Sequence, residues 1–299
     1  MPEIHRSGYI AVVGRPNVGK STLVNALIGH KVAIVSPKPQ TTRRRILGIL
    51  TRPDVQVLFV DTPGIHKPRS ALNKFMMREV DTALGDCDAI LFVVDVTTSP
   101  GLADRYVADK IASAPQLKVL AMNKSDKLKP TNVVEHTRQY QELLGPLEAV
   151  EPRSMLTSGV RGDNLDKLLP MLVAALPAGE DFYPEDQYTD QTERVIVAEL
   201  IREQVLLNME QEVPHAIAVS IDEYEERANG NVFIAAMIYV ERDSQKGILI
   251  GKGGEMLKKI GANARKQIEA ELGRKVYLEL WTKVREKWRD NSQFVEQNI

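Results

Sequence analysis

The sequence predicts an α/β domain on a mostly parallel sheet, with one antiparallel strand and helices on both faces, followed by a smaller α+β domain. Three observations predict it. Apolar strand-like runs alternate with helical patterns as far as Leu176. The first of these runs ends in a glycine-rich loop that opens a helix. Beyond an acidic, proline-bearing stretch, the order of elements changes and the charge changes sign.

Taken in order, the strand candidates of the first part are Tyr9–Val13, Ile46–Leu50, Val55–Val60, Ala89–Val94, Leu117–Met122 and a weaker one near Ala149–Glu151. Helical patterns fall at Ser21–Ile28, Ala71–Leu84, Leu102–Ser113, Val133–Leu144 and Leu165–Leu176. The second and third strands flank the short turn Thr51-Arg52-Pro53-Asp54, so they pair as a hairpin and one strand runs antiparallel. Pro177–Gln191, acidic and rich in aromatics and turn formers, reads as a linker. A helix at Glu193–Met209 follows, then strands His215–Tyr224 and Val232–Glu241 around the turn Ala228-Asn229-Gly230-Asn231. Two helices near Glu255–Ile260 and Ala262–Leu272 and a strand at Lys275–Leu280 complete the pattern. The expected boundaries are a first domain at 1–178, a linker at 179–192 and a second domain at 193–299.

Composition bounds the class. Of 299 residues, 43% are hydrophobic and 26% charged, as in an ordinary globular protein. No apolar run reaches the roughly 18 residues of a membrane span, and the segment Met1-Pro2-Glu3-Ile4-His5-Arg6 carries no signal-peptide core. The single cysteine, Cys87, forms no internal disulfide and fits a reducing compartment, so a cytoplasmic protein is expected. The net charge of −1 hides an asymmetry: Asp181–Glu226 holds 13 acidic and 2 basic residues, Lys246–Arg289 12 basic and 5 acidic. A basic block beside a suitable motif is the electrostatic footprint of a nucleic-acid partner.

Ligands on such sheets bind at the carboxyl ends of the strands. Gly14-Arg15-Pro16-Asn17-Val18-Gly19-Lys20-Ser21 matches the phosphate-binding pattern G-x-x-x-x-G-K-[ST] between a strand and a helix. Its backbone N–H groups would wrap phosphates, Lys20 would reach the β and γ phosphates, and Ser21 would bind Mg²⁺. Asp61-Thr62-Pro63-Gly64 closes the hairpin's second strand. There Asp61 can hold the magnesium and the Gly64 N–H can sense the γ-phosphate. In Gln40-Thr41-Thr42-Arg43 a threonine, Thr42 in preference to Thr41, would complete the metal's shell only when that phosphate is present. Lys20, Thr42 and Gly64 are thus the catalytic candidates.

Asn123-Lys124-Ser125-Asp126 decides the base. The Asp126 carboxylate can accept from guanine N1–H and the exocyclic amine, whereas adenine would leave it unpaired. GTP and GDP are therefore the expected nucleotides, which opposes a metabolic kinase. A regulatory or membrane-surface signalling GTPase whose second domain docks a protein stays open as an alternative.

In this order the motifs resemble the translation-factor-like class of small GTPases and, more narrowly, the Era family of ribosome-assembly GTPases. Tyr183-Pro184-Glu185-Asp186 and Ile250-Gly251-Lys252-Gly253-Gly254 match that family too. The resemblance implies several things. Thr157 and Ser158 would support the guanine edge through backbone N–H groups, where the family usually has Ser-Ala. Arg153–Asp163 would carry an insertion. The water-orienting position after Asp-x-x-Gly is Ile65, which cannot orient water, so slow hydrolysis is expected. Asn17 is similar to a potassium-binding residue of related GTPases, and His66 is better placed facing solvent than as a base. The resemblance further implies a monomer that binds the 3′ end of small-subunit ribosomal RNA in 30S assembly, with weak peripheral membrane association through its basic C-terminal face.

The second half supports an RNA partner directly. Its helix-strand-strand-helix-helix-strand order is that of a type II KH domain. Gly251-Lys252-Gly253-Gly254 forms a G-x-x-G loop whose glycines permit close approach to single-stranded RNA. Lys258, Lys259, Arg265 and Lys266 would neutralise phosphates. Ile250, Met256 and Ile260 are the candidate floor of the base groove, each equally suited to the core.

Overall fold

The computed structural model describes residues 5–146, 153–210 and 213–299. Six strands form the first sheet: β1 (Arg6–Val13), β2 (Ile46–Arg52), β3 (Val55–Asp61), β4 (Ala89–Asp95), β5 (Leu117–Asn123) and β6 (Ser154–Leu156). They lie in the order β2-β3-β1-β4-β5-β6. β2 and β3 pair antiparallel, and every other pairing is parallel. All seven residues of β4 are buried, as a parallel strand covered on both faces requires. Leu91 and Val93 face one core with α1 (Lys20–Ile28) and α5 (Leu165–Val173), while Ile90, Phe92 and Val94 are equally buried on the other side. The remaining helices are α2 (Ala71–Gly85), α3 (Leu102–Ala112) and α4 (Val133–Glu142).

Two expectations for this sheet change. Ala149–Glu151 lies outside the described residues, and the last strand is β6, paired with β5 through Leu120–Met122. The stretch read as a linker is laid onto the domain. Ser7 N donates to Pro177 O (3.2 Å), Gly179 N to His5 O (3.2 Å), and Ile49 N to Tyr188 O (2.9 Å). The Thr189 hydroxyl donates to Leu47 O, and the fully buried Gln56 accepts from Phe182 N and Tyr183 N while donating to Tyr183 O. Buried amides need such partners, and here the supposed linker supplies them.

The second sheet holds β7 (Ala218–Glu226), β8 (Val232–Val240) and β9 (Val276–Val284) in that order, β7 antiparallel and β9 parallel to β8. With α6 (Glu193–Asn208), α7 (Asp243–Ile250) and α8 (Glu255–Leu272) the element order is helix-strand-strand-helix-helix-strand. The two helices are not where the pattern put them. Asp243–Ile250 is helical because the Gln245 side chain accepts from Glu241 N and Arg242 N, a capping arrangement at its start. Gly261 does not break α8. A Cβ there would come 3.3 Å from Leu280 Cδ1, so glycine lets the helix lie close on the sheet. The C-terminal stretch, where no element is expected from sequence, forms α9 (Ser292–Asn298), capped by Asn291 and anchored by buried Phe294 and Val295. Buried Trp288 nearby donates from its ring N–H to Ala216 O (2.8 Å).

By internal contacts the chain divides into one unit of Met1–Ala33, Thr42–Pro68 and Met76–Asp190, and another of Ile34–Thr41, Arg69–Phe75 and Gln191–Ile299. The nucleotide motifs with defined geometry below lie in the first, the G-x-x-G loop in the second.

Candidate nucleotide and nucleic-acid sites

The loop from β1 to α1 is shaped by residues at positive φ: Asn17 at 64° and Gly19 at 95°. At Gly19 a Cβ would meet Asn123 Nδ2 at 2.4 Å, so close approach also excludes a side chain. Lys20 is buried, its Nζ donating to Gly14 O (3.2 Å) and Arg15 O (3.3 Å). Burial lowers its pKa to about 8; Asp61 opposes the fall and Arg15 adds to it. Arg15 in turn donates from Nε to buried Asp104 (3.0 Å), whose other oxygen accepts from Gly101 N. Sequence reasoning missed Asp104, which lies 89 residues from its partner.

Three oxygen donors converge behind Lys20. Ser21 Oγ lies 2.9 Å from Thr42 Oγ1 and donates to Asp61 Oδ2 at 2.6 Å, while Thr42 Oγ1 reaches the same carboxylate at 3.3 Å. Asp61 is fully buried, and burial raises its pKa despite Lys20, Ser21 and Thr42. Its Oδ1 has no hydrogen-bond partner among the described residues. A hydroxyl pair with a half-satisfied buried carboxylate is a donor set that suits a hard divalent cation such as Mg²⁺. Thr41 points elsewhere, its hydroxyl donating to Lys38 O at 2.7 Å.

The loop after β3 presses on the phosphate loop. Ile65 N donates to Gly14 O (3.0 Å), and a Cβ on Gly64 would stand 2.7 Å from Pro16 Cα, N and Cγ. Thr62 is tied to Val12 O by its hydroxyl (2.7 Å), and Pro63 follows it within the buried turn. Ile65 is fully buried, its side chain in the core and unable to handle water. His66 Nδ1 sits 2.7 Å from Gly64 O, a local contact.

The base-reading segment is cross-braced. Asn123 donates to Val18 O (2.9 Å) and accepts from Gly159 N (3.0 Å). Lys124 donates to Asn17 O and to Asp95, both at 2.6 Å. Burial alone would raise the Asp95 pKa, but its bonds from Lys124 and Thr97 bring it below the ordinary value. Ser125 N donates to Thr157 O (3.0 Å), and Ser158 Oγ donates to Asp126 Oδ1 (2.7 Å). Fully buried Ser158 therefore stands beside Asp126, and Thr157 beside Ser125. The expected backbone N–H groups are already engaged, Thr157 N donating to Met122 O (2.9 Å) and Ser158 N to Asp163 O (3.3 Å), so it is the Ser158 hydroxyl that braces the base reader. Asp95 and Gly159 were not singled out in the sequence; the end of β4, adjacent to the other strand-end loops, was the available signal.

In the second unit Gly251, Gly253 and Gly254 have φ of 72°, 60° and 80°. A Cβ would find nothing within 4 Å at Gly253 or Gly254, while at Gly251 it would come 2.7 Å from Met256 Cβ. The loop surface at Gly253 and Gly254 is thus open to an approaching backbone. Lys252, Lys258, Lys259, Arg265 and Lys266 are exposed. Ile250 and Met256 are half-buried beside the loop. Ile260 is not a groove residue: it is fully buried in the core with Ala264 and Ile268, the i, i+4, i+8 stripe of α8.

A phosphate loop, a hairpin-end aspartate and an Asn-Lys-x-Asp base reader on one sheet define a P-loop GTPase, here followed by a type II KH fold. Residues 9–124 match the family described as 50S ribosome-binding GTPase, and residues 212–289 match the KH domain family. One crystal structure, Era in complex with MgGDPNP and nucleotides 1506–1542 of 16S ribosomal RNA, is 38% identical to this chain, covers 98% of each chain and superposes with a TM-score of 0.93. Another, an Aquifex aeolicus Era variant bound to GDP and aluminium fluoride, is 38% identical, covers 97% of this chain and 98% of its own, and has a TM-score of 0.89. The chain belongs to the Era family of GTPases. It is an enzyme that hydrolyses GTP to GDP and phosphate.

Proposed function

We propose that this GTPase uses its KH domain to bind the single-stranded 3′ end of small-subunit ribosomal RNA during assembly of the 30S subunit. The open G-x-x-G loop beside exposed Lys252, Lys258, Lys259 and Arg265 carries the reading. It is supported by the RNA found with a relative similar over nearly the whole chain. In the G domain, Gly14–Ser21 cradles the phosphates, Lys20 neutralises the β and γ charges, and Ser21, Thr42 and Asp61 hold the magnesium. When bound, that ion would stabilise charge on the leaving phosphate oxygens. Gly64 N–H meets the γ-phosphate, while Asp126, oriented by Ser158, reads guanine.

Asn17 holds a potassium ion that compensates for the missing water-orienting side chain at Ile65. Turnover should then be faster in potassium than in sodium, and Asn17→Ala should abolish the difference; equal rates in both salts would sink the assignment. We also place the protein in the cytoplasm as a monomer, with the basic α8 face supporting weak peripheral contact with anionic membranes. The RNA reading is tested by Gly253→Asp, which sets a carboxylate against phosphate in the open loop. RNA affinity in filter binding should fall about tenfold or more, some 1.4 kcal/mol, with GTP affinity unchanged. Undiminished RNA binding would refute the role of this loop.

A further inference from the structure

The KH sheet has two faces, and the RNA reading uses neither side chains nor backbone of the outer one. Inward, Val232, Ile234, Ala236, Ile238 and Val240 of β8 are all fully buried. Strand alternation therefore turns Phe233, Ala235 and Met237 outward. The pairing register sets their neighbours in three rows. Glu225, Phe233 and Tyr277 form the first, Glu223, Ala235 and Glu279 the second, and Ser220, Met237 and Trp281 the third.

Each row has a distinct chemistry. In the first, Phe233 and Tyr277 stack at 5.8 Å with the Arg227 guanidinium over both rings, at 5.1 and 5.9 Å. The second is a small-residue floor with a carboxylate on either side. The third presents a thioether and an indole. Tyr277 is 56% and Trp281 59% exposed, and both are large apolar rings in water. Among the described residues, Glu223, Glu225 and Glu279 enter no ion pair, and Trp281 enters no ring contact or hydrogen bond.

We propose that this outer face is a docking surface for a cationic protein segment, an arginine- or lysine-bearing stretch with apolar residues at alternate positions. A guanidinium or ammonium over Ala235 would lie between the Glu223 and Glu279 carboxylates with the Trp281 ring beside it along the strand, since the Tyr277 ring already carries Arg227. Charge-assisted hydrogen bonding and cation–π attraction act there together. Rows two residues apart repeat every ~6.7 Å along a strand, which is also the spacing of alternate side chains in an extended partner. An apolar residue on each side of the cation would then rest on the aromatic rows. The carboxylates argue against the other occupants. They repel RNA phosphates and anionic lipid, and a second copy of this face would set like charges against each other.

The test uses the full chain and a fluorescein-labelled peptide in which arginine and valine occupy alternate outward positions, separated by serines. Fluorescence anisotropy should show saturable binding that an otherwise identical glutamate-for-arginine peptide lacks. Glu223→Gln with Glu279→Gln, and separately Trp281→Ala, should each weaken it about tenfold or more. The charge-matched control Asp109→Asn with Glu135→Asn, at exposed sites on the other unit, should leave it unchanged. GTP turnover and binding of a single-stranded RNA oligonucleotide should not move in any variant, and thermal melting checks folding. Equal binding of both peptides, or equal losses in the control pair, would overturn the proposal. So would a Trp281→Ala variant that loses RNA affinity but keeps the peptide, which would make the face a nucleic-acid platform.

Discussion

Replacing Gly64 with alanine adds one methyl group where the structure leaves no room. The new Cβ would stand 2.7 Å from Pro16 Cα, N and Cγ, about 0.7 Å inside the 3.4 Å at which ordinary contact begins. Two of those atoms are backbone, so no rotamer change relieves the clash. Relief requires Asp61–Gly64 and Gly14–Ser21 to separate by roughly that distance, which carries the Gly64 N–H away from the γ-phosphate. A misplacement of about 1 Å at a reacting centre costs around 10²-fold in rate, or about 2.7 kcal/mol of barrier. GDP has no γ-phosphate, so its affinity should change little. Single-turnover hydrolysis with phosphate release, run beside a GDP titration, measures both. Gly85→Ala is the control, since a Cβ there meets nothing within 4 Å. If Gly64→Ala hydrolysed GTP within threefold of the parent, the close approach of these loops would not be part of catalysis.

Two further outcomes follow from the site. Asp126→Asn should exchange guanine for xanthine: the asparagine oxygen can keep the Ser158 hydroxyl bond while its amide N–H pairs with the xanthine carbonyl. GTP affinity should drop about 100-fold or more, some 2.7 kcal/mol, in competition titrations with GTP, ATP and xanthosine triphosphate. Retained GTP preference would remove Asp126 as the base reader. Lys20 has a pKa of about 8 in the free chain, set chiefly by burial, and bound phosphates favour its charged form. Nucleotide binding near pH 8 should therefore take up protons, and affinity should weaken as pH rises further. Calorimetry in buffers of differing ionisation enthalpy reads that uptake directly, and proton release would contradict the assignment.

What could be read from sequence were the segments that contain their own geometry. Gly14–Ser21, Asp61–Gly64 and Asn123–Asp126 are short, contiguous and fixed to strand ends, so their spacing and context sufficed to place them on the sheet. Alternation of apolar runs with helices likewise gave the sheet and its antiparallel hairpin. Contacts made across long separations were not legible. Asp104 anchors Arg15 from α3, and Asp95 holds Lys124 from β4, yet neither carboxylate has a local signature. Helix α7 was hidden because its capping residue is a glutamine within a polar run, and the helix is only eight residues long with Gly247 inside it. Ile260 illustrates a third limit: a residue one turn beyond a binding loop fits groove or core equally until the helix is docked.

The strap of residues 177–189 has a consequence for synthesis as well as for structure. β2 is the edge strand of its sheet, and among the described residues its outer backbone groups are met by Tyr188 and Thr189. A ribosome delivers those residues about 140 positions after β2 is complete, an interval of roughly 7–30 s at ordinary elongation rates. Through that interval the nascent sheet carries an open hydrogen-bonding edge, the kind of template that recruits other strands. The domain is therefore sealed by the last segment to leave the ribosome before the KH fold begins, and the chain is most vulnerable to mispairing just before its second half is made.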